Sequence, residues 1–322
     1  MFSSIDIQAA AARLAGVVRQ TPLRPCKSGD ERIELRCKLE NRQETGSFKP
    51  RGAWNNIAQL SATERAAGVI ATSSGNHGRA LAWAARRAGV QATIVMPADA
   101  YPNKIEACRE LGAQVLLGES RSAAEDICRE RMSAGALLIH PFDEPRTVEG
   151  AGTVGLEIAE EWPEVEVVVI PVGGGGLISG SFLALRRSLG AGVQVIGVEP
   201  AGAPSMSRGL AAGEPVRVET ISTKVQGLCP LESGALNVEI CNALGLSVVL
   251  LEDGPILAAQ ERLVKAGEVV EPAGAAAVAV VFEGLLPPTL LEQRNAANPL
   301  RVAVVVSGGN PDPDQLRALQ AR

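Results

Sequence analysis

The residues of this chain whose types and spacing could do chemistry fall into four clusters. The apolar run Val165 to Val172 ends in Gly173-Gly174-Gly175-Gly176-Leu177-Ile178-Ser179-Gly180. Lacking Cβ atoms, such residues let backbone N–H groups close on an anion, and a helix opening there adds partial positive charge, which is the physics of a phosphate cradle. A tight turn without a ligand needs one or two glycines, so four in succession favour a phosphate. No Gly-Lys-Ser/Thr follows, as a Walker loop requires. Nor is the run G-x-G-x-x-G, although Glu199 at the next strand end could imitate the ribose-binding acid of a dinucleotide site. A second run ends in Ala71-Thr72-Ser73-Ser74-Gly75-Asn76-His77-Gly78. Its hydroxyls, amide and N–H groups at a helix start could receive a carboxylate or the oxygen of an aromatic ring; capping alone uses one such residue. The third cluster, Ser47-Phe48-Lys49-Pro50-Arg51-Gly52-Ala53, places a lysine at the mouth of a helix beginning at Pro50, where the missing N–H costs nothing. Spacing alone leaves Lys49 an ordinary surface charge. The fourth, Ser307-Gly308-Gly309-Asn310 after Val304-Val305-Val306, is by itself only a turn.

These clusters need elements to hold them. Short β-branched runs alternate with longer Ala/Leu-rich stretches of helical spacing, the pattern of a parallel sheet covered by helices, so the fold class is α/β. Strands are expected at 68–72, 92–96, 113–117, 136–140, 165–172, 193–199, 246–251 and 302–306. Helices are expected at 78–88, 103–111, 122–133, 153–162, 177–189, 254–266 and 273–283. Near-continuous apolar runs such as Val167-Val168-Val169-Ile170 fit strands buried on both faces. Residues 69–145 read as a small mobile domain, with 1–68 and 146–322 forming the large cofactor-binding domain. Ligands of open parallel sheets sit beyond the carboxyl ends of the strands, in a cleft that two close lobes would line.

Composition removes other classes. Of 322 residues, 46% are hydrophobic, enough to bury a core, and the formal net charge is −5. No field exists to hold a polyanion, so nucleic acid is not expected as a partner. No stretch reaches the ~18 apolar residues of a membrane span and the first residues lack the order of a secretory signal, so a cytoplasmic protein is expected. Six scattered cysteines without a C-x-x-C pair read as reduced. Two histidines, His77 and His140, support neither a His/Cys zinc cluster nor a Ser-His-Asp hydrolase.

Taken together, S-F-K-x-R-G-A, S-S-G-N-H-G, G-G-G-G-L and S-G-G-N, in this order, resemble the pyridoxal-phosphate enzymes of fold type II, and among them the serine/threonine dehydratase and serine racemase group. The likeness runs from Thr21-Pro22-Leu23 to Asn310. It implies a two-lobed fold of parallel sheets with helices on both faces. It also implies a Schiff-base link between Lys49 and pyridoxal 5'-phosphate, with Lys49 later removing the substrate's α-proton. Phe48 is implied to pack on the pyridine, Asn76 to bond its ring hydroxyl, and Gly173, Gly174, Gly175, Gly176 and Leu177 to hold the phosphate. Ser73, Ser74, Gly75, Asn76 and His77 resemble the loop that takes the substrate carboxylate. Ser307 matches the residue facing the pyridine nitrogen. A neutral hydroxyl there does not enforce ring protonation, so expulsion of a β-substituent is favoured over transamination. The expected reaction is elimination of water from a 3-hydroxy amino acid such as serine, threonine, 3-hydroxyaspartate or 3-phenylserine, giving a 2-oxo acid and ammonia.

The resemblance leaves alternatives open. Ser74 stands where many threonine dehydratases have alanine and racemases have serine, so a racemase using Lys49 and Ser74 is a second reading, and simple carboxylate binding by Ser74 a third. A nicotinamide-dependent dehydrogenase using the glycine loop and Glu199 is the remote one. Glu199 and Ala203 match two positions of the family's divalent-cation site, but Ser205 stands where metal-bound members have aspartate; with a carboxylate lost, no strong metal requirement is expected. Glu271 lies in a segment that closes the cofactor pocket in relatives, and Gly227 matches a glycine near the ring. The chain ends soon after Asn310, so no isoleucine-sensing domain is expected, and relatives suggest a homodimer.

Overall fold

The computed structural model describes residues 2–321. The chain opens with α1 (Ile7–Leu14), capped by the Asp6 carboxylate, which accepts from Ala9 N–H at 2.9 Å. There follow β1 (Leu23–Cys26), β2 (Ile33–Lys38), α2 (Lys49–Ala58) and α3 (Ala62–Ala67). The middle of the chain alternates strictly: β3 (Val69–Thr72), α4 (Asn76–Ala88), β4 (Ala92–Pro97), α5 (Pro102–Glu110), β5 (Gln114–Gly118), α6 (Arg121–Ser133) and β6 (Leu137–Leu138). Then come α7 (Pro145–Glu161), β7 (Val167–Pro171), α8 (Gly176–Leu189), β8 (Gln194–Pro200), α9 (Ser205–Ala212), α10 (Ala235–Leu244) and β9 (Ser247–Leu251). The chain closes with α11 (Asp253–Lys265), α12 (Pro272–Phe282), β10 (Leu300–Val305) and α13 (Pro313–Gln320).

Among the described residues the strands form two sheets, ordered β1-β2-β10-β7-β8-β9 and β5-β4-β3-β6. Every neighbouring pair is parallel except β1 and β2, which pair antiparallel. The expected parallel sheets are present, and at one edge the large sheet gains an antiparallel strand: the loop from β1 to β2 is too short for a crossover, so the chain folds back as a hairpin. Pro25, exposed on that edge strand, has no N–H to offer a neighbour.

β7 is buried along its whole length, as its unbroken Val-Val-Val-Ile run requires. One face of the large sheet packs on α12, whose Ala/Val-rich sequence is buried on nearly all sides. The other face packs on α7 and α8 through Val154, Ile158, Ile178, Phe182 and Leu185. The second sheet has its own core, in which Ile94 and Met96 of β4 meet Leu81 and Ala85 of α4.

α7 is crossed so closely by two helices that only glycine fits. A Cβ on Gly180 of α8 would lie 2.2 Å from the Val148 carbonyl oxygen, and one on Gly155 of α7 would lie 2.4 Å from that of Ser181. A Cβ on Gly150 of α7 would lie 2.4 Å from the Arg51 carbonyl oxygen of α2. Both α2, which begins at Lys49, and α8, which begins after the glycine run, are thus seated on a common helix.

Beneath Lys49 the link is also ionic. Arg51, fully buried, makes two 2.8 Å bonds to the equally buried Glu40 and bonds of 2.6 and 2.9 Å to Glu157. Lys38 Nζ, also buried, reaches Glu157 at 2.7 Å and Glu161 at 2.8 Å. Burial pushes the Glu40 carboxyl up, but the charge and hydrogen bonds of Arg51 outweigh it and hold the group below its usual range.

Candidate active site

Three strand ends, β3, β7 and β10, open onto a cavity of about 1040 Å³. All the sequence-predicted site residues line it: Phe48, Lys49, Ser73, Ser74, Gly75, Asn76, His77, Gly173, Gly174, Gly175, Gly176, Leu177 and Ser307.

Lys49 stands at the first turn of α2, as its position before Pro50 implied. Its Nζ donates to the Pro141 carbonyl oxygen at 2.7 Å, and burial pulls the amine down to about 8. A neutral fraction is therefore available near neutral pH, which a nucleophilic or basic lysine requires. The Phe48 ring centroid lies 4.9 Å from Nζ.

The glycine run is built to expose N–H groups. Gly174 and Gly175 lie ahead of α8, and Gly176 and Leu177 occupy its first turn, where N–H groups have no intrahelical acceptor. None of these four donates to another described residue. A Cβ on Gly174 would fall 2.2 Å from the Phe142 ring; Gly175, at φ +100°, would place one 2.6 Å from Asn237 Cβ. The loop carbonyls are turned the other way: Gly174 O accepts from Gly234 N–H at 3.0 Å and from Asn237 Nδ2 at 2.9 Å. Such an array of free N–H groups at a helix start fits a phosphate.

At the end of β10, Ser307 Oγ is buried and makes only a long bond, 3.4 Å, to the Ala273 carbonyl oxygen. In the loop after β3, Ser73 Oγ accepts from Gly75 and Gly78 N–H at 3.3 and 3.1 Å. The Ser74 hydroxyl is exposed and has no partner among the described residues. Asn76 is more engaged than its sequence context suggested: its Nδ2 donates to Glu271 Oε1 at 2.6 Å and its Oδ1 accepts from Asn310 Nδ2 at 2.7 Å. One amide hydrogen remains for a ring oxygen. Burial raises Glu271 to about 7 against the opposing effects of Asn76 and Lys104. His77 stands in the same loop. Its ring is buried with Nε2 2.8 Å from the Ile139 carbonyl oxygen, and burial, then Lys49, push it down to about 3. Its imidazole is a neutral strut, and what it offers an anion is its backbone N–H in the first turn of α4.

Sequence reasoning missed Pro141, Phe142, Asp143 and Asn237. Pro141 receives Lys49, and Phe142 lies against the phosphate loop. Asp143 caps α10 by accepting from Ala235 and Leu236 N–H at 3.1 and 3.0 Å, and α10 presents Asn237 to the loop. A capping aspartate was visible only as an isolated letter, because its helix begins far along the chain.

The acid of the nicotinamide alternative is elsewhere. Glu199 is fully buried and turned into the N-terminus of α9, with no surface to meet a ribose.

Residues 14–308 match the family described as pyridoxal-phosphate dependent enzymes, and the chain belongs to that family. Pyridoxal phosphate is accordingly its cofactor, and the free N–H groups, the lysine and the buried hydroxyl fit its phosphate, aldehyde and ring. Among particular relatives, the chain is 42% identical to L-threonine ammonia-lyase of Thermotoga maritima over 97% of its own length and 76% of the relative's. Maize serine racemase superposes with a TM-score of 0.87 at 32% identity, covering 97% of this chain and 94% of that one. The processed form of threonine deaminase isoform 2 from Solanum lycopersicum gives 0.88 at 31%, covering 98% and 86%.

Proposed function

We propose that this protein is a pyridoxal-phosphate-dependent ammonia-lyase acting on a 3-hydroxy amino acid, with release of a 2-oxo acid and ammonia. The observation that carries the reading is the joint presence, in one cavity, of a lysine amine held near 8, four unpaired N–H groups and a neutral hydroxyl at the end of β10. When bound, the cofactor withdraws electrons from the substrate's α-carbon. The N–H groups of Gly174 to Leu177 hold the phosphate. Lys49 holds the aldehyde end and takes the α-proton, for which a pKa near working pH is the useful value. Ser73, Ser74 and the first turn of α4 orient the substrate carboxylate. Ser307 faces the ring nitrogen without supplying a charge, which favours early loss of the 3-hydroxyl. Residues 69–145 act as a small domain that closes over the substrate and excludes water, and the remainder holds the cofactor. A homodimer in the cytoplasm completes the reading; among the described residues, no helix is long and apolar enough to cross a membrane.

The test is release of 2-oxo acid and ammonia from serine, threonine, 3-hydroxyaspartate and 3-phenylserine in both configurations. At least one substrate is expected to react, with borohydride fixing the cofactor on Lys49 and Lys49→Ala losing about 10³-fold or more of the rate. No product from any of them sinks the proposal. The free Ser74 hydroxyl favours one further reading, racemisation, with Ser74 handling the proton on the face opposite Lys49. Ser74→Ala is then expected to abolish inversion of serine while leaving elimination from the L-isomer, and inversion that persists removes Ser74 from that role.

A further inference from the structure

The divalent cation that the family resemblance places beside Glu199 does not fit this chain. Among the described residues, no group of three or more His, Cys, Asp or Glu side chains converges anywhere. Both Glu199 oxygens are already turned onto protein donors. Oε1 accepts from Met206 N–H at 2.7 Å, and Oε2 accepts from Ser207 N–H at 2.8 Å and the Ser207 hydroxyl at 2.7 Å. This carboxylate pins the first turn of α9.

That turn presents Ser205. Its hydroxyl, fully buried, lies 3.0 Å from the Ser233 hydroxyl and 3.5 Å from Glu199 Oε1, and the Ser233 hydroxyl lies 3.4 Å from the Gly173 carbonyl oxygen. Two hydroxyl hydrogens suffice for one directed run: Ser205 donates to Ser233, and Ser233 donates to Gly173 O. The run begins where Glu199 fixes α9 and ends on the first glycine of the phosphate loop. A trans peptide is rigid, so holding the Gly173 carbonyl also aims the N–H of Gly174, on the opposite side of the same plane. The Gly234 bond to Gly174 O does the same for the N–H of Gly175.

Resting on the cofactor assignment above, the geometry points to Ser205 and Ser233 as positioning residues for the cofactor phosphate. The hydrogen-bond run that starts from α9, whose first turn Glu199 pins, does the work that a bound cation would otherwise do at this place, and cofactor affinity is independent of divalent ions.

The test is titration of apo-protein with pyridoxal phosphate, followed by the cofactor's absorbance, with EDTA, magnesium or calcium present. The wild-type dissociation constant is expected to be the same in all three conditions. Ser233→Ala is expected to weaken binding about tenfold and Ser205→Ala about three- to tenfold, since tenfold corresponds to the loss of about 1.4 kcal/mol. The double variant is expected to bind no more weakly than Ser233→Ala alone, because both act through one carbonyl. Ser181→Ala, which removes a buried hydroxyl that has no partner, is the control and is expected to bind as wild type. Unchanged affinity in both serine variants, fully additive losses, or weaker wild-type binding in EDTA overturns the inference while leaving the cofactor assignment intact. Failure of the wild type to bind the cofactor under every condition overturns both.

Discussion

At the residue scale, Glu271 has a charge that depends on working pH. Its folded value, about 7, lies above the usual 4.5 because burial disfavours the anion. A group raised in this way contributes its stability fully below its unfolded value and loses it as pH rises through the folded one. Between about pH 4.5 and 7, then, the apo-protein loses stability on this account. Glu271→Gln keeps the bond to Asn76 and removes the titration. Its apo melting temperature is expected to exceed that of wild type at pH 8 and to match it near pH 4.5; equal shifts at both pH values would refute the assignment. The sequence marked Glu271 only as part of a closing segment. Its environment depends on Gly308, where a Cβ would lie 1.9 Å from Glu271 Oε1, and no local pattern shows that. Lys49 itself was legible as a candidate only through the company of three other motifs. Its depressed pKa comes from burial, which spacing does not report.

Elements set the distances between such residues, and α7 does so for the two ends of the cofactor. Gly180→Ala would press a methyl against the Val148 carbonyl oxygen, so the variant is expected to lose about 1–3 kcal/mol in urea denaturation. Gly254→Ala, in α11 with open space around it, is expected to be neutral or to gain up to about 1 kcal/mol. Equal effects at the two sites would remove the close-packing argument. Arg51 seats α2 by a different means. Arg51→Met leaves the buried Glu40 without its counter-charge, and a cost of about 3–5 kcal/mol is expected by chemical denaturation. Short β-branched runs made eight strands readable, most plainly β7, which is buried along its whole length, and helical spacing of apolar residues made seven of the helices readable. β1 carries Arg24 and Pro25, and β2 alternates Ile33, Leu35 and Cys37 with Glu34 and Arg36, so neither resembles the continuous runs of the interior. α7 begins at Pro145, ahead of the expected 153, because its first turns are Gly- and Thr-rich where α2 crosses it.

Over the whole molecule, Asn310 ties the second sheet's helices to the segment before Lys49. It accepts from Arg79 Nη1 at 2.7 Å on its side chain and from Lys104 Nζ at 3.1 Å on its carbonyl, and it donates to Asn76 Oδ1 and, at 2.9 Å, to Thr45 O. Asn310→Ala, which keeps the carbonyl that Lys104 meets, is expected to speed backbone hydrogen exchange in the first turns of α4 about tenfold. Unchanged exchange there would show that other contacts hold the two parts together. The alternation of strand and helix announced both sheets, and the rule of strand ends located the cavity. The side chains spanning the two sheets stayed hidden, since each pairing joins distant stretches of chain. The hairpin at the rim of the large sheet has one further consequence. An open rim invites another copy to continue the ladder, and Pro25, with no N–H, withholds a rung on β1, so strand sharing along this rim of the large sheet is disfavoured.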